Sequence, residues 1–458
     1  MSSAAEILAR AATGPFDATP APVRRRLTFL ISDVLAVAVS AWDRSEIRSA
    51  REALVTGVGG PASVIGQLAG ESPAVAALIN AMPVAAEQLQ DGHRLARGHP
   101  ASHVVPAVLA AAEAAGSSGP DTLAAILAGY EIGVRVGDAM GGTPAGVHDI
   151  GTWGTIGAAA GVAHVASGGR PDAIAAAVDL AAALPGRPDA RTVFAGADGQ
   201  HLLLGIAVQS AVVTGTSAAA GLRAPTGTLE RYFLPALGSD PDTGRLVEGL
   251  TGSSWGQHRI LDGYIKRHPT CAHLHGVNDA VEDLLVGGPV DTGAVEKVVV
   301  RTYAAAAGFD DPDPDGDLAA RFSIPYTVAV ALVSGTLGTG SFAAGWMADR
   351  SVRDLAARVE VLADPALDVG YPSGRPAVVT VCNRDGSTVE ASAGLPRGDG
   401  IDALDDARVA TKPMALLSGA LGADQARTVL EAVASMRSSG PAHLGSVLRG
   451  LSAPGRNL

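Results

Sequence analysis

Val295-Glu296-Lys297-Val298-Val299-Val300-Arg301-Thr302 alternates in polarity and is crowded with β-branched residues, the composition of a strand. Before residue 263 the chain reads instead as helix after helix. Downstream, 359–362 is a shorter candidate strand. Segments 377–383 and 387–393 flank Arg384-Asp385-Gly386, where Asp-Gly supplies a hairpin turn. Helical sequence at 323–337 and 352–357 lies between these strands, and 402–451 is helical again. The pattern predicts a mainly α fold with a discontinuous all-helical domain, residues 1–263 and 399–458, into which a smaller α+β domain, 264–398, is inserted.

The helical part carries its own punctuation. Pro22 and three arginines lead into an apolar helix at 27–41, and Ser72-Pro73 opens one at 74–83, since proline suits a first turn. Pro106 is read as opening 107–115, and Asp121 as capping a helix through Ile126, Tyr130, Ile132 and Val136. Gly151, Gly154, Gly157 and Gly161 give 151–166 a small-residue face that a second helix can approach closely. Asp172 precedes an alanine-rich helix at 173–184. Segment 27–42 is interrupted by Asp33 and is shorter than the about 20 residues a bilayer demands. Segment 202–222 is long enough, but Gln209, Ser210, Thr214, Thr216, Ser217 and the glycines among them read as a buried helical pair, so no membrane span is expected.

A net charge of −12 over 458 residues, with no basic stripe or aromatic platform, argues against nucleic acid as a partner. Two distant cysteines, Cys271 and Cys382, show no CxxC spacing. They fit free thiols in a reducing cytoplasm, with a single disulfide as the alternative, and exclude an iron–sulfur cluster held by three or four cysteines of this chain. The segment Met1-Ser-Ser-Ala-Ala-Glu6 lacks the basic start and apolar run of a signal peptide, so a cytoplasmic location is expected.

Six of the eleven histidines fall in two short stretches, Asp91-Gly-His93-Arg94-Leu-Ala-Arg97-Gly-His99-Pro-Ala-Ser-His103 and Lys266-Arg267-His268-Pro-Thr-Cys271-Ala-His273-Leu-His275. Lys266 is one of only three lysines. In an acidic chain, such islands of cationic and titratable groups suit a small polyanion and proton transfer near neutral pH. The residue before a proline is pushed toward extended backbone, which puts His99 at a loop end just before a helix, where free amides favour carboxylates. The plainer alternative is a polar loop whose histidines cap helices. His148 precedes the glycine-faced helix beside Thr152 and Thr155. Lys266 and Arg267 can clamp a carboxylate or simply sit in a solvated hinge. Tyr326 can donate a proton or merely pack. There is no GxxxxGK[ST], GxGxxG after a strand or HExxH. Asp91, His93 and His99 match no familiar metal spacing, and arginines crowd them, so no metal is expected.

Taken in order, several segments resemble the MmgE/PrpD family, which includes 2-methylcitrate dehydratase and cis-aconitate decarboxylase. They are Gly98-His99-Pro100-Ala101 with Pro106-Ala107, Gly129-Tyr130-Glu131 with His148 and Gly151-Thr-Trp-Gly154-Thr-Ile-Gly157, Lys266-Arg-His-Pro269 with His275 and Asp279-Ala280, and Arg321-Phe-Ser323 with Tyr326. The resemblance covers most of the chain. It implies a helical domain from both chain ends, an α+β lid, a homodimer, no cofactor and an active site between the domains. His99, His148, Lys266 and Tyr326 match site positions of the decarboxylase branch, and Asp91 matches an acidic position in the same loop. Around them, His93, Arg94, Arg97, His103, Thr152, Gln200, Arg267 and His275 are expected to meet the substrate. Gln200 stands where the decarboxylase has a lysine, His93 replaces a threonine, and Leu89 replaces an acidic residue, which points to a differently shaped substrate.

The activities of the family pass through proton transfer at a carbon beside a carboxylate, whose developing charge needs several cations and donors. The leading expectation is a hydro-lyase acting on a hydroxylated di- or tricarboxylic acid of the 2-methylcitrate type. A decarboxylase or epimerase of a related polycarboxylate (cis-aconitate- or iminodisuccinate-like) is the alternative, and a carboxylate-binding protein without turnover is the third.

Overall fold

The computed structural model describes residues 2–452 apart from 253, 287 and 289. The tail of the expected helical domain, 453–458, lies outside them. At the centre stands the Trp153–Ser167 helix, buried at every position from Trp153 to Val165. It packs on Pro100–Ala115, Gly119–Ala139, Pro171–Ala182 and Gly199–Ala219. The expected glycine face explains how four helices reach it. A Cβ on Gly157 would lie 2.5 Å from the Gly129 carbonyl, and one on Gly161 2.7 Å from Val108 Cγ2. No larger residue fits either position.

Both chain ends build this part. Ala407–Leu421 packs on Ala21–Ala41, and Met436–Arg449 packs on Gly119–Ala139. Lys412, from the late helix, forms a buried ion pair of 2.8 Å with Asp33 and donates to the carbonyls of Leu89 and Lys266. One ammonium thus ties both ends of the chain to both histidine segments.

The inserted part carries a four-stranded sheet in the order Val359–Ala363, Val295–Thr302, Ala377–Asn383, Thr388–Ala393. Val295–Thr302 pairs parallel with the first and antiparallel with the third, and the last two form the expected hairpin, with Gly386 at φ 84° in the turn. His275–Val286 packs on the sheet, and Ile324–Ser334 packs on that helix.

Three local readings are corrected. The helix expected at 107–115 starts at Pro100, with Pro106 inside it, because burial of its apolar face outweighs one missing helical hydrogen bond. Ser118, not Asp121, caps Gly119–Ala139: its hydroxyl accepts from the Asp121 amide over 3.2 Å, and Asp121 sits in the first turn. Segment 202–222 is not a helical pair but one helix, Gly199–Ala219. Its glycines are packing sites, Gly205 against the Leu78 carbonyl and Gly215 against that of Ala159. This helix is long and apolar enough to cross a membrane, and half of its apolar stretch is buried within the chain. Leu202, Ile206 and Val213 face outward, each about half exposed.

Candidate active site

Backbone pairing assembles the site. Gly92–His93 and Gly263–Tyr264 form a short antiparallel pair, and Tyr264 also bridges Asp399. The first histidine segment, the second, and the return to the helical part therefore lie side by side. The first loop closes on itself where the His93 amide donates to the Gly98 carbonyl over 2.8 Å. That closure places Arg97 in the left-handed region, at φ 53°, and delivers His99 as the N-cap of Pro100–Ala115. Gly98 is required by space: a Cβ there would lie 2.2 Å from Asp149 Oδ2 and 2.7 Å from the Trp153 ring. Only glycine lets the His148 loop close against the His99 loop.

Between these loops and the inserted part lies a cavity of about 280 Å³, whose wall includes Arg97, His99, His148, Asp149, His273 and Arg375. This is the size of a small organic acid, below most pockets for larger ligands at about 300–1,000 Å³. His99 Nδ1 donates to the Asp91 carbonyl over 2.5 Å, so its Nε2 keeps the lone pair. Burial, followed by the charge of Lys266, holds the pKa of His99 well below the usual histidine value. The neutral ring is thereby favoured. His148 is placed differently. Its Nδ1 is 3.1 Å from Asp149 Oδ1 and 3.2 Å from the Ile150 amide nitrogen. The carboxylate favours a proton on that nitrogen and the amide favours a lone pair, so the ring has a partner in either state. Burial lowers the pKa of His148, and Asp149 pulls it back up.

Lys266 stands one residue behind the wall, with Nζ 3.4 Å from Gln88 Oε1. Gln88 lines the cavity and donates to Gln200 over 3.2 Å. Burial pushes the Lys266 ammonium down to about 7, and its charge reaches His99, His148 and His273. Asp91 acts through its backbone carbonyl on His99. Its carboxyl is buried, accepts from the Ala101 amide, and is pushed up to about 7 by that burial.

The other expected contacts turn away from the cavity. His93 accepts from the Ala96 amide at Nδ1 and donates from Nε2 to the Arg259 carbonyl over 3.2 Å, so its ring is used up holding the loop. Arg94 pairs with Asp399. His103 is engaged at both nitrogens, by the His99 carbonyl and the Gly151 amide. The Thr152 hydroxyl donates to the Asp149 carbonyl over 2.6 Å. Arg267 is surrounded by Asp279, Glu282 and Asp406, so the chain's own carboxylates fill the clamp expected for substrate. His275 packs edge-on to His268. The Tyr326 hydroxyl donates to the Ser341 carbonyl over 2.6 Å, which makes Tyr326 a packing residue with a satisfied hydroxyl rather than a proton donor to the cavity.

Sequence reasoning passed over Asp149, Cys271 and His273, all on the wall and each beside or within a segment it had singled out. The His273 ring faces the Tyr303 hydroxyl at 2.7 Å and stacks on Phe309. Gln88, Gln90, Tyr371 and Arg375 came with no local signal.

Residues 6–237 match the model of the MmgE/PrpD N-terminal domain and residues 268–438 that of the C-terminal domain. A cis-aconitate decarboxylase of Aspergillus terreus (strain NIH 2624 / FGSC A1156) is 28% identical over 359 residues, covering 72% of this chain and 71% of its own. A cis-aconitate decarboxylase-like protein of Aspergillus oryzae (strain ATCC 42149 / RIB 40), oryM, is 41% identical over 90 residues, 18% of this chain and 19% of its own. With both domain models matched in order over most of its length, the chain belongs to the MmgE/PrpD family.

Proposed function

We propose that this protein is a cofactor-independent hydro-lyase that removes water from a hydroxylated di- or tricarboxylic acid. The observation that carries the reading is the contrast between two imidazoles on one cavity. His99 is anchored by a backbone carbonyl and kept neutral, while His148 is backed by a carboxylate. Environments that separate two titratable groups in this way assign a base and an acid. His99 Nε2 takes the proton from the carbon beside a carboxylate, and the electron pair left behind forms the carbon–carbon double bond. The hydroxyl leaves from the neighbouring carbon with a proton from His148, so the balance is the loss of one water. A positioned acid or base contributes ~10²–10⁴-fold each, and the charge of Lys266 stabilises the dianion that forms between the two steps.

A second reading, decarboxylation, is favoured by the relatives whose names carry that activity. It keeps His99 and His148 as proton carriers and replaces hydroxyl loss by loss of carbon dioxide. In either reading the inserted part serves as a lid over the cavity and the chain works as a cytoplasmic homodimer. The outward apolar row Leu202, Ile206 and Val213 supports the dimer.

Incubation with hydroxylated and unsaturated polycarboxylic acids in deuterated water, followed by NMR and mass spectrometry, separates the cases. Loss of water supports the hydro-lyase. Loss of carbon dioxide makes it a decarboxylase, and deuterium exchange with inversion and no mass loss makes it an epimerase. A protein that binds these acids and leaves them unchanged is a carboxylate-binding member, and that result sinks the catalytic reading.

A further inference from the structure

Arg375 is the outlier of the cavity. It lies in Gly374-Arg375-Pro376, directly before the Ala377–Asn383 strand of the inserted part, and is 7% exposed. Its guanidinium sits 5.6 Å from the centre of the Tyr264 ring, and its Nε is sealed from solvent without a partner. Among the described residues, no carboxylate lies within ion-pair distance of it and no acceptor hydrogen-bonds to its side chain. Asp399, a carboxylate that feels its charge, is already held by Arg94. The other buried cations of the site region are engaged. Lys412 has Asp33, Arg267 has three carboxylates, and Lys266 has Gln88. A buried guanidinium left without a counter-ion is costly unless an anion arrives to complete it.

We propose that Arg375 is the seat of a second substrate carboxylate, one not attached to the reacting carbon. Its planar fork takes both oxygens of a carboxylate, a geometry that an ammonium cannot offer. The seat comes from the inserted part, whereas His99 and His148 come from the helical part. A ligand must therefore present its reacting carbon to the helical wall and a further carboxylate to the inserted part, and a monocarboxylate leaves the seat empty. The Arg94–Asp399 pair gains a role here: it keeps a carboxylate of the chain from occupying the seat. This inference rests on the proposed function and gives the second carboxylate of its di- or tricarboxylic substrate a binding residue.

The test is calorimetric titration with propane-1,2,3-tricarboxylate, which has no hydroxyl to lose, with butyrate as the monocarboxylate control. Wild type is compared with Arg375→Met, Arg375→Lys and His99→Ala, all checked for native circular dichroism. Arg375→Met should weaken the tricarboxylate roughly 100-fold, the scale of one charge-assisted bidentate contact, and leave the weak binding of butyrate unchanged. Arg375→Lys keeps the charge and the fold but loses the fork, and should fall about tenfold. His99→Ala should bind the tricarboxylate like wild type and should lose the turnover that wild type shows with hydroxylated polycarboxylic acids. If folded Arg375→Lys and Arg375→Met bind the tricarboxylate within about twofold of wild type, the seat is refuted, and a dead His99→Ala still leaves the proposed chemistry standing. If wild type binds and turns over monocarboxylic acids as well as tricarboxylic ones, the seat is likewise refuted. If it neither binds nor turns over any polycarboxylate, both proposals fall together.

Discussion

His103 Nδ1 donates to the backbone carbonyl of His99 over 2.9 Å, while its Nε2 accepts from the Gly151 amide at 3.3 Å. One buried ring therefore clamps the residue we assign as base to the loop that carries the residue we assign as acid. A Cβ on Gly154 would lie 2.7 Å from this ring, so the central helix was built around it. His103→Ala should leave the Gly151 amide unpaired, while the His99 carbonyl keeps the Ser102 hydroxyl at 2.7 Å, and should cost about 1–3 kcal/mol of stability. Its turnover should fall about 100-fold at unchanged KM, because the two loops lose their common tie and not their substrate contacts. His103→Gln, which can still donate to one group and accept from the other, should recover a good part of the rate. Steady-state kinetics and thermal melts on the three proteins decide it; equal loss in the Gln and Ala variants would reduce His103 to a filler of space.

Gly98 makes a sharper case, since its φ is unexceptional and only space demands glycine. A methyl group there would lie 2.2 Å from Asp149 Oδ2 and 2.7 Å from Trp153. Gly98→Ala should force the Asp149 carboxylate off His148 and lower kcat by about 10–100-fold, the size of effect expected when a reacting group shifts by about 1 Å. The fall should be largest where His148 must hold its proton, toward the alkaline limb of the pH profile. A uniform loss at every pH would mean that the loop moved as a whole.

Much of this arrangement was legible from local chemistry. The strand character of Val295–Thr302 rests on β-branched residues, and the place of His99 rests on Pro100, both strictly local effects. Lys266 stood out because lysine is so scarce. Other features depend on neighbours distant in sequence. His99 and His103 lie one helical turn apart, and nothing local says that one ring faces the cavity while the other is spent on backbone groups. Tyr326 follows the same logic: its hydroxyl is taken by Ser341, fifteen residues on. Arg267 looked like a clamp for an anion, but three carboxylates that converge only in the fold had filled it. Arg375 is the reverse case, because its significance is the lack of a partner, which no sequence pattern encodes.

Metal removal should leave the enzyme untouched. The histidines on the cavity wall share it with Arg97 and Arg375 and lie within reach of Lys266, and that field disfavours a cation. Among the described residues, the clusters able to hold an ion are Glu46, Asp198 and His201, and His268, Asp279 and Glu282, neither of them on the cavity. In the second, His268 Nε2 already meets Asp279 at 2.9 Å. Turnover after exhaustive chelation should match that of the untreated protein. Inhibition that added divalent metal reverses would overturn this expectation.

Proton uptake on binding should report Lys266 directly. Burial lowers its pKa from 10.5 to about 7, the penalty of holding an ammonium away from water. The sign follows from that depression. Above pH 7 the lysine of the free protein is mostly neutral, and a bound polyanion favours its charged form, so binding must draw a proton from solution. At pH 8 the lysine should contribute close to ~1 proton per ligand, and at pH 6, where it is already charged, close to none. Calorimetric titration with a polycarboxylate in buffers of different ionisation enthalpy measures that number. Lys266→Met should abolish the lysine share and leave whatever His148 takes up. The same depression means that the folded protein disfavours the charged lysine, so wild type loses stability as pH falls from about 10.5 toward 7. Lys266→Met escapes that loss, and its melting temperature should exceed that of wild type by the widest margin below pH 7, with the gap closing as pH rises. A constant gap across this range, together with pH-independent uptake, would place the lysine outside the field of the bound anion.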